Sequence, residues 1–402
     1  MCNKCPPVKS ASAGNSGQLD RRAFIEGATF VGAAAGLAGM LPAQAGAKAA
    51  PMPSAKQVSA VGLAKADINK PFERFEFKRR EPGPEDVLID ILYCGVCHTD
   101  IHFVDGSFGP LTSALVAGHE IVGRVRAIGS AVSRFKVGDI AGVGTMVDSC
   151  GICKYCLAGL EPYCTKGATA TYGITPTGTI QGGYATNIVV KERFVLNIRQ
   201  GVNLAATAPL LCAGITTYSP MQHLGGVRGK KVGVIGLGGL GHVAVKLAVD
   251  GGADVTAFST SPQKGEAAAK LGASRFVVWP DADRFAALKN EFDYMIATVP
   301  GGFDLDPFLP MLAVDGTLSN VGTLGPIAKP FNNSLLLAGR RSITGNAVGG
   351  VAETQHLLDH CAERGIVADI ELIGPDRIDE AFRRVGAKDV RFRFVLDMAR
   401  FS

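Results

Sequence analysis

One short run sets the architecture of the chain's second half: Gly236-Leu237-Gly238-Gly239-Leu240-Gly241. The apolar residues 231–235 before it read as a buried strand. Residues 240–249 after it carry helical periodicity. A G-x-G-x-x-G turn between a strand and a helix is the context of a dinucleotide-binding fingerprint. Gly236 makes the tight turn, Gly238 lets backbone approach a pyrophosphate, and Gly241 allows close packing of helix on strand. The helix N-terminus beyond them favours the anion.

The surrounding pattern agrees. Runs at 255–258, 276–278, 294–297 and 317–321 read as further strands, with a helix over 263–271 between the first two. Such alternation requires a parallel, doubly wound sheet. Before residue 205 the pattern is different. Runs at 87–93, 121–128 and 188–190 read as strands separated by turn residues such as Pro82-Gly83-Pro84 and Gly138-Asp139. Residues 351–402 return to mixed helix and strand, ending on a strand at 393–396. The expected order is therefore a leader (1–55), a β-rich domain (56–211), an inserted nucleotide domain (212–346), and a return to the first domain (347–402).

The second strand of the nucleotide domain decides which dinucleotide is expected. NAD binding calls for an acid at its end, facing the ribose 2′-OH. Here that end reads Ser259-Thr260-Ser261-Pro262-Gln263-Lys264, without an acid. Hydroxyls and a Lys suit a 2′-phosphate, so NADP(H) is predicted. Asp254 has roughly the spacing of the NAD acid but begins the strand. Ser261 has a second reading as a helix cap.

The chain has ten cysteines. Cys150, Cys153, Cys156 and Cys164 fall in one loop at metal-ligand spacing, with Gly151 and Gly159 to bend it. A closed four-thiolate set leaves no room for substrate, so a structural zinc is predicted over an iron–sulfur cluster or disulfides. Cys2 and Cys5 lack nearby partners and read as incidental. Three further fragments matter together: Cys94-Gly-Val-Cys97-His98-Thr99-Asp100-Ile-His102, Gly118-His119-Glu120, and Leu211-Cys212-Ala213-Gly214-Ile-Thr216-Thr217-Tyr218. Taken singly, Cys94 and Cys212 read as small core residues and His119 as a satisfied core ring. Jointly, Cys97, His119 and Cys212 supply the three protein ligands of an open, catalytic zinc.

In these fragments, the four-Cys loop and the glycine turn, taken in that order, the chain resembles the cinnamyl alcohol dehydrogenase branch of the zinc-dependent medium-chain dehydrogenases. Within that branch the likeness is to bacterial NADPH-dependent aldehyde reductases. The likeness runs from about residue 57 to the C-terminus. It implies an α/β fold: a GroES-like β-rich catalytic domain with an inserted Rossmann domain. It implies reversible hydride transfer between NADPH and aromatic or medium-chain aldehydes, two zincs per chain, and a homodimer. Cys97, His119 and Cys212 match the catalytic zinc ligands. Glu120 matches the acidic neighbour that approaches this zinc, and Asp100 the carboxylate that holds the ligating His. Thr99 and His102 match the proton relay. Thr216 and Leu240 join the glycines among the cofactor contacts. Plant lignin-pathway members place a Trp at the substrate pocket. The single Trp here, Trp279, falls in the nucleotide domain, so cinnamyl specificity is not implied. A zinc-free quinone or enoyl reductase of the same fold would lack the three ligands. A non-enzymatic exported zinc or nucleotide carrier would have no use for Thr99, Asp100 and His102.

The leader stands apart from this likeness. Arg21-Arg22, an uncharged run at 27–41 and Pro42-Ala43-Gln44-Ala45 follow the order of a twin-arginine export signal. Export through the twin-arginine translocase to the periplasm or beyond is the expectation; a cytoplasmic protein with an uncleaved leader is the alternative. The run is too short to anchor the protein stably in a membrane. Lys plus Arg total 41 against 36 Asp plus Glu, spread along the chain, so no nucleic-acid surface is implied.

Overall fold

A computed structural model of the chain describes residues 57–175, 178–322 and 329–401. The export-signal reading of residues 1–55, with Cys2 and Cys5, lies outside the described residues. Two main sheets organise the rest.

The first is a six-stranded parallel sheet. Its strands, from edge to edge, are Arg275–Val278, Asp254–Ser259, Lys231–Ile235, Phe292–Ala297, Leu312–Asn320 and Ser342–Gly345. The order reverses beside Lys231–Ile235, which makes the crevice at its C-terminal end the expected ligand position. Central strands of such a sheet are covered on both faces, which explains their unbroken apolar runs. Val232 and Val234 pack with Ala244, Val245 and Ala248 of the helix Gly241–Asp250 on one face. Ile235, Phe258, Met295 and Phe308 fill the other. Each such side chain contributes about 1.5–3 kcal/mol by leaving water.

The second sheet has seven strands. Its spine is Asp86–Gly95, which pairs with Ile121–Ile128 on one side and with Asn187–Lys191 and Arg393–Asp397 on the other. The last strand is thus brought back, antiparallel, to a strand roughly three hundred residues earlier. A third apolar cluster, including Val122, Leu210, Ile215, Val243 and Leu357, joins the seven-stranded sheet to the helix Gly241–Asp250. Among the described residues no helix is long and apolar enough to cross a membrane.

The predicted helix over 263–271 differs in detail. It opens as a 3-10 turn, Pro262–Lys264, and becomes α-helical only over Gly265–Lys270. Pro262 sits at the first helical position, where its missing N–H costs nothing. Ser261 stands in the cap position but makes no side-chain capping bond, so the capping role is not realised and its hydroxyl is left to the cavity. Asp254 begins the strand Asp254–Ser259 and is exposed, far in register from the crevice end.

Candidate active site

The strand Asp86–Gly95 delivers the chain to Cys97, which caps the helix His98–Val104 in extended conformation. Asp100 closes this turn: the Cys97 N–H donates to Asp100 Oδ2 at 2.7 Å. The local fold therefore ties the sulfur and the carboxylate together. His119 and Glu120 immediately precede the strand Ile121–Ile128, whose first residue pairs with Cys94. Cys94 itself is fully buried in the core. Cys212 stands at the start of the helix Ala213–His223. Ligand atoms of Cys97, His119, Glu120 and Cys212 all lie within 4.8 Å of one another, and all four residues are buried.

The donor set fits zinc. Sulfurs each ~2.3 Å from one tetrahedral ion stand about 3.8 Å apart; Cys97 Sγ and Cys212 Sγ are 3.9 Å apart. Sharing a proton with the Cys212 thiol holds Cys97 well below the usual thiol range, and the same contact pushes Cys212 well above it. Burial opposes charge on His119, but Asp100 and the Cys97 sulfur outweigh it and raise its pKa well above the usual value. Metal binding here must displace such protons.

Asp100 is the hub. Its Oδ1 lies 3.1 Å from His119 Nδ1, leaving Nε2 as the ligating atom. Tyr184 Oη donates to Oδ2 at 2.7 Å, and the Gly118 N–H donates to Oδ1 at 3.2 Å. Asp100 is fully buried, and these donors satisfy both of its carboxylate oxygens. Burial raises the Glu120 carboxyl to about 7, with the Arg393 guanidinium beside it working the other way. Arg393 Nε donates to Glu120 Oε2 at 3.2 Å. The same guanidinium reaches 2.7 Å from where a Cβ on Gly239 would stand. One buried arginine thus touches both the metal cluster and the glycine turn.

A single cavity of about 550 Å³ joins the two. Cys97, Thr99, His102, His119, Cys212 and Thr216 line one part of it. Gly236, Gly238, Gly239 and Leu240 line the middle, and Ser259, Thr260, Ser261 and Lys264 the far end. Gly236 has φ +94°, and a Cβ on Gly241 would collide with the Gly236 carbonyl; both positions need glycine. Thr99 Oγ1 is 3.7 Å from Cys97 Sγ. His102 Nδ1 is buried without a hydrogen-bond partner among the described residues.

The second cluster is the loop of Cys150, Cys153, Cys156 and Cys164, whose sulfurs also lie within 4.8 Å of one another. Cys150 and Cys156 sulfurs are 3.9 Å apart. All four are free thiols, so they form no disulfides. Backbone N–H groups of Cys156 and Thr165 hold the Cys153 thiol down to about 5, which suits a metal ligand.

Several residues escaped the sequence reading. Arg393, Tyr184 and Tyr172 were not singled out; Tyr172 lies over the His119 ring, with centroids 5.7 Å apart, and also lines the cavity. A charged residue opening an otherwise apolar strand was the available signal for Arg393. Trp279 directly follows the nucleotide sheet's edge strand Arg275–Val278, yet it also lines the cavity, next to Ser259.

Comparison with known proteins follows the same division. The alcohol dehydrogenase GroES-like domain family matches residues 83–200, and the zinc-binding dehydrogenase family matches residues 239–363. The chain is 49% identical to aldehyde reductase YahK of Escherichia coli (strain K12), over 85% of this chain and 98% of that protein. The chain belongs to the zinc-binding alcohol dehydrogenase family. It is an enzyme, an α/β oxidoreductase of the medium-chain type. A second relative of this dehydrogenase, NADP-dependent alcohol dehydrogenase C 1 of Mycolicibacterium smegmatis, is 48% identical over 84% of this chain and 97% of that one. Among solved structures, the cinnamyl alcohol dehydrogenase of Helicobacter pylori complexed with NADP(H) is 38% identical. It matches with a TM-score of 0.80, over 86% of this chain and 99% of that chain. Nothing in these likenesses supports a non-enzymatic zinc or nucleotide carrier.

Proposed function

We propose that this dehydrogenase transfers hydride reversibly between NADPH and small aldehydes with aromatic or medium-length apolar tails. One observation carries the reading: a buried S, N, S donor set opens onto the same cavity as a dinucleotide turn ending in hydroxyls and a lysine. The enzyme names of its relatives, and the NADP(H) named in the H. pylori complex, support it. A zinc ion held by Cys97, His119 and Cys212 supplies a Lewis acid for the carbonyl oxygen, and the nicotinamide supplies or accepts the hydride.

The chain's own residues do the rest. Asp100, fixed by Tyr184 and two backbone N–H groups, orients the His119 ring and sets its tautomer. The Thr99 hydroxyl, beside the Cys97 sulfur, hands a proton to the forming alcohol. His102 Nδ1, with no partner among the described residues, returns a proton from solvent to that hydroxyl in reduction and takes it away in oxidation. Arg393 stabilises the buried Glu120 carboxylate and presents positive charge at the pyrophosphate turn. Phe103 and Tyr172 give the substrate end an apolar, aromatic wall. The loop of Cys150, Cys153, Cys156 and Cys164 holds a second, structural zinc.

The proposal has two further parts. Homodimer formation is supported by strand Ser342–Gly345, whose outer edge has no strand partner among the described residues, and by exposed Val314 and Leu337. Export through the twin-arginine translocase is supported by the order of Arg21-Arg22, the 27–41 run and the Ala43-Gln44-Ala45 site. Cell fractionation tests it: replacing both arginines by Lys should retain the protein, uncleaved, in the cytoplasm. The activity test is NADPH oxidation with benzaldehyde, with benzyl alcohol measured as product. Turnover with NADPH and little with NADH is expected. Equal efficiency with both cofactors would overturn the cofactor choice, and no product from any aldehyde would overturn the reaction.

A further inference from the structure

The turn after the helix Ile378–Gly386 brings a second lysine to the nucleotide end of the cavity. Lys388 lines the same cavity as Ser259, Thr260, Ser261 and Lys264. Lys264 comes from the six-stranded sheet's first crossover, whereas Lys388 comes from the C-terminal segment that returns to the seven-stranded sheet. Two cations from distant segments therefore line one cavity, close enough for their charges to interact.

Neither has a carboxylate partner among the described residues. Lys264 Nζ donates only to the Leu237 carbonyl, at 2.8 Å. Among the described residues, no hydrogen bond or ion pair engages the Lys388 ammonium. The acids nearby are committed elsewhere: Glu371 and Asp389 to Arg384, and Glu266 to Lys270. After burial, the charge of Lys388 is what disfavours charge on Lys264. Like charges held together at a hydroxyl-lined pocket destabilise the empty site. A dianion between them turns the repulsion into two attractions.

We propose that Lys388 is a specificity-determining residue, closing over the 2′-phosphate of NADP(H) from the catalytic-domain side while Lys264 holds it from below. The inference rests on the NADP(H) reading above. It extends the phosphate site beyond the strand end to a residue 124 positions past Lys264 in the chain (388 less 264).

The sole tryptophan, Trp279, lines this cavity and gives a direct optical readout. Fluorescence titration of the zinc-replete full chain with 2′,5′-ADP and with 5′-AMP isolates the 2′-phosphate, the only group by which the two probes differ. Lys388→Ala should weaken 2′,5′-ADP about tenfold, as expected for losing a charge-assisted contact. Its affinity for 5′-AMP should stay within about twofold, below the effect of a hydrogen bond to a charged group. Lys388→Arg should restore most of the loss. Unchanged 2′,5′-ADP affinity in Lys388→Ala would overturn the inference. So would equal losses for both probes, which mark a merely structural role. If Lys264→Ala loses the discrimination and Lys388→Ala keeps it, this inference fails while the NADP(H) reading stands. If the unaltered chain binds both probes equally, the NADP(H) reading itself fails.

Discussion

The two cysteine clusters use the same donor atom in opposite ways. In the lobe, four sulfurs come from one contiguous loop, residues 150–164, and converge on one another. Their neighbours are exposed: Ile152 and Leu157 are 71% and 74% accessible. In the cleft, two sulfurs and an imidazole come from three distant segments, and all are buried beside an acid, an arginine and a cavity. A full thiolate set leaves an ion nothing further to bind, whereas a partial set leaves a position for substrate. The lobe's set closes within its own loop. The cleft's set exists only when the whole domain has folded, and it needs buried supports that the lobe does without. Placing a metal cluster where water is excluded makes its electrostatics strong, and Asp100, Tyr184 and Arg393 are what keep those charges compatible.

Replacing ligands should separate the clusters most sharply. His119→Ala should lower kcat/KM by at least about a thousandfold, since a Lewis acid contributes several kcal/mol. Steady-state kinetics check this; a loss under tenfold would mean that His119 is not a ligand. Removing a support should cost less. Asp100→Asn keeps the shape but not the charge, and a fall of about 10- to 100-fold in activity or zinc affinity is expected. Tyr184→Phe should move in the same direction by less, because it deletes one of several donors to Asp100. Away from the metal, Ser259→Asp with Lys264→Ala should reduce the preference for NADPH over NADH by at least about tenfold. The ratio of kcat/KM values reads this directly. The smallest effect on chemistry belongs to the lobe. Cys153→Ser should lower Tm and lobe zinc content while leaving turnover per folded molecule nearly intact. A dead but well-folded Cys153→Ser protein would erase the division of labour between the clusters.

The same contrast governs what was legible in the sequence. The lobe could be read entire, because its ligands are local. The glycine turn was also readable, since strand, turn and helix are adjacent. Strands came out short at their ends: the 87–93 run extends over Asp86–Gly95, and the 317–321 run starts at Leu312 while its last paired residue is Asn320. Pairing partners set those limits, and partners are invisible in a local window. Cys97, His119 and Cys212 were grouped by donor chemistry and then matched through family resemblance, since no local spacing links them; the structure brings their ligand atoms together. Arg393 was missed because its partner, Glu120, lies 273 positions away. Trp279 was read only as part of the nucleotide domain, although its ring also walls the cavity. Side-chain direction at a strand end cannot be taken from sequence order alone.

The division into a structural and a catalytic zinc is tested most directly by metal analysis of Cys212→Ala, paired with turnover. The unaltered chain should carry two zincs, and the variant one, with the lobe loaded, Tm little changed and NADPH-dependent benzaldehyde reduction abolished. A Cys212→Ala protein that keeps two tightly bound zincs, or that still turns over, would contradict it.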